Sequence, residues 1–176
     1  MTRHLTRADY TEMPWANGQG TTIEIWRAAD DVGLRWRFSM ATVAKDGPFS
    51  QFPDIERNLT VIDGPGFDLV GAGHFHAGHL QPVAFPGDIP LAAQGVTATA
   101  VDFNVMTHRS LPIPAVEVVE NTALSPRDGA TLCIFALGAV QYGGITLARH
   151  DFLIAAPAAS LHGAPVLAIH LFEHPQ

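Results

Sequence analysis

One cysteine, no concentrated basic patch, no long unbroken apolar run and no helix-period segment of useful length are the shortages of this chain, and each removes a class of protein. A single Cys133 cannot close an intramolecular disulfide. Its place in the apolar run TLCIFAL reads as a buried structural thiol rather than a nucleophile, which fits a reducing cytoplasm. Ten basic against seventeen acidic residues give a formal charge of -7, which repels nucleic-acid phosphates and anionic lipid. No run of roughly 18 apolar residues could span a bilayer, and MTRHLTRADYTEMPW has no apolar core followed by a small-residue cleavage site. The expectation is a soluble, unexported, cytoplasmic protein with neither a nucleic-acid nor a membrane partner.

What is present is β-strand pattern. With 47% hydrophobic residues, the 176-residue chain can bury one substantial core or two small fused ones, so a single compact unit is expected. Its organising stretch is RWRFSMATVAKDGPFSQFPDIERNLTVIDGPG, from Arg35 to Gly66. Trp36, Phe38 and Met40 alternate with Arg37, Ser39 and Ala41, the period of a two-faced strand. A second run sets Arg57 on one face with Leu59 and Val61, and an arginine so placed asks for an anion nearby. Upstream, Asn17, Gly18 and Gly20 mark a turn or close backbone approach, after which Thr21 to Ile25 enters a strand carrying Glu24. Downstream, short apolar pieces punctuated by Gly, Pro and Asp predict hairpins, and Asp102, Asn104 and Met106 share one face of a further strand. The boundary between two β sections is expected near Pro112, giving 1–112 with the pocket and 113–176 as a structural half, bare of convergent polar groups and available for a homodimer contact.

Several chemistries compete for these residues. His74, His76 and His79 resemble a metal-binding H-x-H, yet Gly71, Gly73 and Gly78 around them read as an exposed hairpin tip, and no glutamate follows until Glu117. No metal or other cofactor is therefore expected. Ser39, Ser50 and Asp102 could be drawn into a hydrolase triad, but no G-x-S-x-G elbow supports one, and His108 reads as a surface or capping residue. Glu24 and Asp102 on strand faces need arginine partners, which Arg37 and Arg57 can supply. An arginine fork holds a protein carboxylate or a ligand's equally well. Trp15 reads as core sooner than as a stacking platform, Trp36 and Phe38 are assigned to the core, and Phe49 and Phe52, on the GPFSQFPD arm, to a pocket mouth.

Four segments in order carry a family likeness. PWANGQGTT resembles W-x-N-G-G-G-x-T, and RFSMATVAKDGPFSQFPDIERNLTVIDG resembles a block running from R-x-S-x-A through G-P-F-S-x-F-P to R-x-L-x-x-x-x-G. FPGD and DFNVMTHR complete the set. Together they resemble the HutD/Ves proteins, small cupin-fold proteins found with bacterial histidine-utilisation genes. Gln19 stands where that family commonly has glycine, and Asp54 and Glu56 where it commonly has Gly and Asp. The resemblance implies an all-β bicupin of the RmlC-like cupin type, two small antiparallel β-barrels in one chain, without the metal-binding histidines of other cupins. It also implies a non-catalytic modulator that limits histidine breakdown by binding a carboxylate intermediate such as N-formylglutamate or urocanate.

The resulting expectation places Arg37 and Arg57 as anion clamps, Asp102 and Asn104 against an amide or ring nitrogen, and Glu24 and Ser39 completing the network. Phe49, Phe52 and Met106 finish the ligand-binding set, with no catalytic residue assigned. Two alternatives stay open: a metal-independent cupin isomerase or hydrolase using Glu24 or Asp102 as base, and a protein-interaction module.

Overall fold

Alternating β-branched and aromatic residues broken every few positions by Gly, Pro or Asp favour short strands, and strands dominate the fold. The computed structural model describes residues 1–16, 18 and 20–174. Asn17 and Gln19, singled out above in the turn before the first long strand, lie outside the described residues. Strands follow in the order β1 (Arg3–Leu5), β2 (Thr11–Pro14), β3 (Thr21–Asp30), β4 (Gly33–Val43), β5 (Gly47–Pro48), β6 (Ile55–Asp63), β7 (Phe67–Gly71), β8 (His74–Ala77), β9 (Val83–Pro86), β10 (Leu91–Gln94) and β11 (Ala100–His108). Then come β12 (Ala115–Val119), β13 (Ala123–Leu124), β14 (Ala130–Ala136), β15 (Val140–Tyr142), β16 (Ile145–Leu147), β17 (Phe152–Ile154), β18 (Ala159–Gly163) and β19 (Val166–Phe172). Among the described residues the only helical turn is a 3-10 segment at Arg7–Asp9, and no helix is long and apolar enough to cross a membrane.

The chain divides into two compact units, Thr11–Ser110 and a second made of Met1–Tyr10 with the chain from Leu111 onward. A break near Pro112 alone would have left residues 1–10 with the first section. They belong with the later residues because β1 pairs with β17, Arg3 opposite Ile154 and Leu5 opposite Phe152, which satisfies its backbone donors and acceptors.

Within Thr11–Ser110, one sheet has the order β2-β3-β4-β11-β6-β9 and the other β5-β10-β7-β8, with antiparallel ladders in both. Val43, Leu59, Val61 and Phe85 from the first sheet meet Phe67, Leu69, Leu91 and Ala93 from the second in one apolar core. Fully burying side chains of this size contributes about 1.5–3 kcal/mol each, enough to offset a few buried polar groups on the same sheet. Opposite that core, Trp26 stacks on Phe38 at 5.7 Å and Phe38 tilts against Phe103 at 6.2 Å. The expected assignment of Trp36 and Phe38 to buried positions agrees with their exposures of 5% and 0%. His74 and His76 project from the exposed β7–β8 hairpin and flank Asp68, at 3.6 and 2.7 Å. Their proximity, His76 foremost, holds the Asp68 carboxyl below its usual range.

The other unit repeats the two-sheet plan, with orders β1-β17-β14-β19-β12 and β13-β18-β15-β16. Leu132, Ile134, Leu153 and Ala168 of the first pack with Tyr142, Leu147 and Leu161 of the second. Cys133 is a buried free thiol, and loss of water pushes its pKa up to about 12. The chain thus has an all-β, cupin-like fold in which each unit is built from two sheets.

Candidate functional site

The site lies within Thr11–Ser110 and is built on the three central strands of its larger sheet. Register places residues in rows across β4, β11 and β6: Arg37–Met106–Arg57, Ser39–Asn104–Leu59 and Ala41–Asp102–Val61. Strands lie about 4.8 Å apart, so the Cα atoms of Arg37 and Arg57 are about 10 Å apart with Met106 between them. This face and the segment after β4 enclose a cavity of about 390 Å³, a size suited to a small ligand. Backbone bonds from Phe49 N to Leu91 O (2.9 Å) and from Phe52 N to Gly87 O (2.8 Å) pin the arm beside it.

Arg57 is 8% exposed, and its guanidinium sits 5.2 Å from the ring of Phe49, 5.5 Å from Phe52 and 5.3 Å from Phe85. These faces attract the cation without consuming its N–H groups. Among the described residues one N–H is used, Nη2 donating to Asn104 Oδ1 at 2.5 Å, while buried Nε has no acceptor. Asn104 in turn donates through Nδ2 to Asp102 Oδ1, so the amide stands between the buried charges. Arg37 donates from Nε to Glu24 Oε2 at 2.7 Å. Among the described residues its terminal nitrogens face thioethers alone, 3.8 Å from Met106 Sδ and 3.6 Å from Met13 Sδ, and sulfur is a weak acceptor. Both arginines therefore keep donor capacity that a carboxylate could fill.

Burial dominates the electrostatics. Asp102 is 1% exposed, and desolvation pushes its carboxyl up to about 7 against the opposing pull of Arg57 and the Asn104 bond. Desolvation also draws Arg57 down to about 10, with Asp102 resisting and Arg37 adding to the fall. A carboxyl that changes charge near neutrality inside a cavity is a feature typical of functional sites.

Of the nine residues expected from sequence, Arg37, Ser39, Phe49, Phe52, Arg57, Asp102, Asn104 and Met106 line this one cavity. Glu24 does not. It lies opposite Ser39, where the β3–β4 register slips between Glu24 and Trp26, and it serves as the partner of Arg37. Sequence reasoning missed Lys45 and Thr22, both on the wall, and left Trp15 to the core although it lines the cavity and donates from Nε1 to Thr22 Oγ1 at 2.9 Å. Gly20 permits that placement, since a Cβ there would stand 2.8 Å from the Trp15 ring. FPGD was legible as a motif but not as a part. Phe85 underlies Arg57, Gly87 passes so close that a Cβ would be 2.6 Å from Ile55 O, and Asp88 holds Arg109 at 2.8 and 3.0 Å. Arg109 also donates to Glu56 at 2.8 Å, bolting the β6, β9 and β11 ends together. His108 meets Ser110 at 2.7 Å and is not among the cavity residues.

Fold and site together define a cupin-like β protein with an arginine-lined pocket. The HutD family model matches residues 7–167, and the chain belongs to the HutD family. Protein Ves of Cronobacter sakazakii is 32% identical over 139 residues, 76% of this chain and 77% of that protein. A 21.2 kDa protein from the hutC 3′ region of Pseudomonas putida is 29% identical over 136 residues, 75% of this chain and 72% of that protein. Among solved structures, HutD from Pseudomonas fluorescens SBW25, in a formate condition, superposes with a TM-score of 0.86 at 29% identity, covering 99% of this chain and 100% of that one. The family is associated with the histidine-utilisation region.

Proposed function

We propose that the chain is a bicupin whose Thr11–Ser110 unit binds a small carboxylate and modulates histidine utilisation without catalysing a step, N-formylglutamate and urocanate being the candidate ligands. The observation that carries this reading is the pair of arginines, each with unfilled N–H donors, in one cavity with Ser39, Asn104 and Asp102. A carboxylate between Arg57 Nε and the terminal nitrogens of Arg37 would replace weak sulfur contacts with charge-assisted hydrogen bonds. The ligand's N–H or carbonyl would face the Asn104–Asp102 pair, and Phe49, Phe52 and Met106 would cover its carbon skeleton. Formate, named in the condition of the P. fluorescens HutD structure, is the smallest carboxylate.

Calorimetric titration with N-formylglutamate and with urocanate tests the proposal. Arg57→Ala, in a protein that keeps its β-sheet circular dichroism, is expected to weaken binding by about 30-fold or more, the usual effect of removing one partner of a buried charge contact. Absence of heat and of any rise in melting temperature at millimolar concentrations of both compounds sinks the reading. A second reading, an isomerase or hydrolase with Asp102 as base, is favoured by that carboxyl's poise near neutrality. Turnover of either compound, lost in Asp102→Asn, would establish it.

A further inference from the structure

Building on the carboxylate reading, we propose that the pocket takes up its anion together with one proton, which Asp102 receives as the ligand's carboxylate settles against Arg57. The charges on the cavity side of the sheet are balanced before a ligand arrives. Arg57 on β6 is matched by Asp102 on β11, Arg37 on β4 by Glu24 on β3, and Lys45 by Asp46 in the segment after β4. Ala41 and Val61, beside Asp102 on the neighbouring strands, are neutral, as are Ala93, Gly47 and Pro48 across the cavity. A carboxylate added to this set leaves one uncompensated negative charge beside the buried Arg57 and Asp102, and that arrangement is costly. One proton removes it.

Asp102 is the group placed to take that proton. Its carboxyl is almost wholly buried and is reached by Arg57 only through the Asn104 amide. Glu24, by contrast, retains 18% side-chain exposure and a direct 2.7 Å contact with Arg37 Nε. Since Oδ1 of Asp102 accepts from Asn104, the new O–H bond forms at Oδ2. The proton comes from solvent, and no bond in the ligand breaks. Asp102 already titrates at about 7 before an added anion raises it further, so near neutrality uptake takes little work. With Asp102 neutral, the charge of Arg57 is directed wholly at the ligand. Binding then responds to pH although the carboxylate itself does not titrate in that range.

The test uses the full chain labelled with carbon-13 at its aspartate carboxyls, Asp102→Asn assigning the resonance, and formate as probe. Formate stays ionised from about pH 5.5 to about 8.5, as carboxylates of this kind do. On adding formate at about pH 7.5 the Asp102 signal is expected to move to its protonated position. Formate affinity is expected to fall about tenfold per pH unit at the alkaline end, and to be flat in Asp102→Asn. If formate shifts the Asn104 side-chain amide while the Asp102 carboxyl stays ionised and the affinity is flat, proton uptake is overturned and the carboxylate site stands. If neither formate nor N-formylglutamate perturbs that amide, the site itself falls, and the uptake with it.

Discussion

Asp102→Asn should make this protein more stable at alkaline pH, because it removes a buried charge while keeping the side chain's size and its acceptor for Asn104. A free aspartate titrates near 3.8 and Asp102 in the folded chain at about 7, chiefly because burial penalises the ionised form. At about 1.4 kcal/mol per pH unit, that gap corresponds to about 4 kcal/mol. The sign follows from linkage: folding raises this pKa, so the group's full stability is present below about pH 4 and is lost as pH rises through about 7. Wild type and Asp102→Asn should therefore have similar stability near pH 4, and the variant should lead by about 4 kcal/mol near pH 8.5. For a typical urea dependence of about 2 kcal/mol per molar, that is a midpoint shift of about 2 M. Urea unfolding followed by tryptophan emission is the assay, since Trp15, Trp26 and Trp36 all lie in Thr11–Ser110 and report on the unit that holds Asp102. Taking the difference between the two proteins at each pH cancels other titrating groups. Parallel pH profiles, or a variant weaker at pH 8.5, would show that Arg57 and Asn104 solvate the carboxylate well and would refute the reasoning.

Three further outcomes can be checked on the same preparation. Gly87→Ala should lower urea stability by about 1–3 kcal/mol and weaken ligand binding, since its Cβ would lie 2.6 Å from Ile55 O and 3.1 Å from Arg57 Cγ. Asp54→Gly should raise stability by up to about 1 kcal/mol, because Asp54 holds a left-handed φ of 59° that glycine adopts without strain. Cys133 should resist a thiol-specific colorimetric reagent in the native protein and react once urea unfolds its unit, as expected of a buried thiol whose pKa is about 12.

Much of the site was legible because side-chain alternation is local. Arg37 with Ser39, and Asp102 with Asn104 and Met106, could be put on common faces from their own strands alone. What no single strand states is register, and register is what brings Arg37, Met106 and Arg57 into one row. Glu24 keeps the face that alternation gave it, opposite Ser39, but its carboxylate is engaged by Arg37 and it is not among the cavity residues. Lys45 and the lining role of Trp15 escaped because their positions depend on how turn and arm close over the sheet, and Thr22 because register on β4 sets it opposite Ala41. The partner of β1 escaped more completely. Arg3–Leu5 pairs with residues near position 153, which no local pattern states.

That distant pairing orders events as the chain emerges from the ribosome. All of Thr11–Ser110 is contiguous, so its strands can find one another once Ser110 has cleared the exit tunnel. Arg3–Leu5 must wait with unpaired backbone until Phe152–Ile154 has been made. Closing so large a loop is slow rather than ruinous, since its entropy grows only with the logarithm of its length. The pocket unit is thus positioned to mature first, while the unit that begins with β1 is finished from its far end.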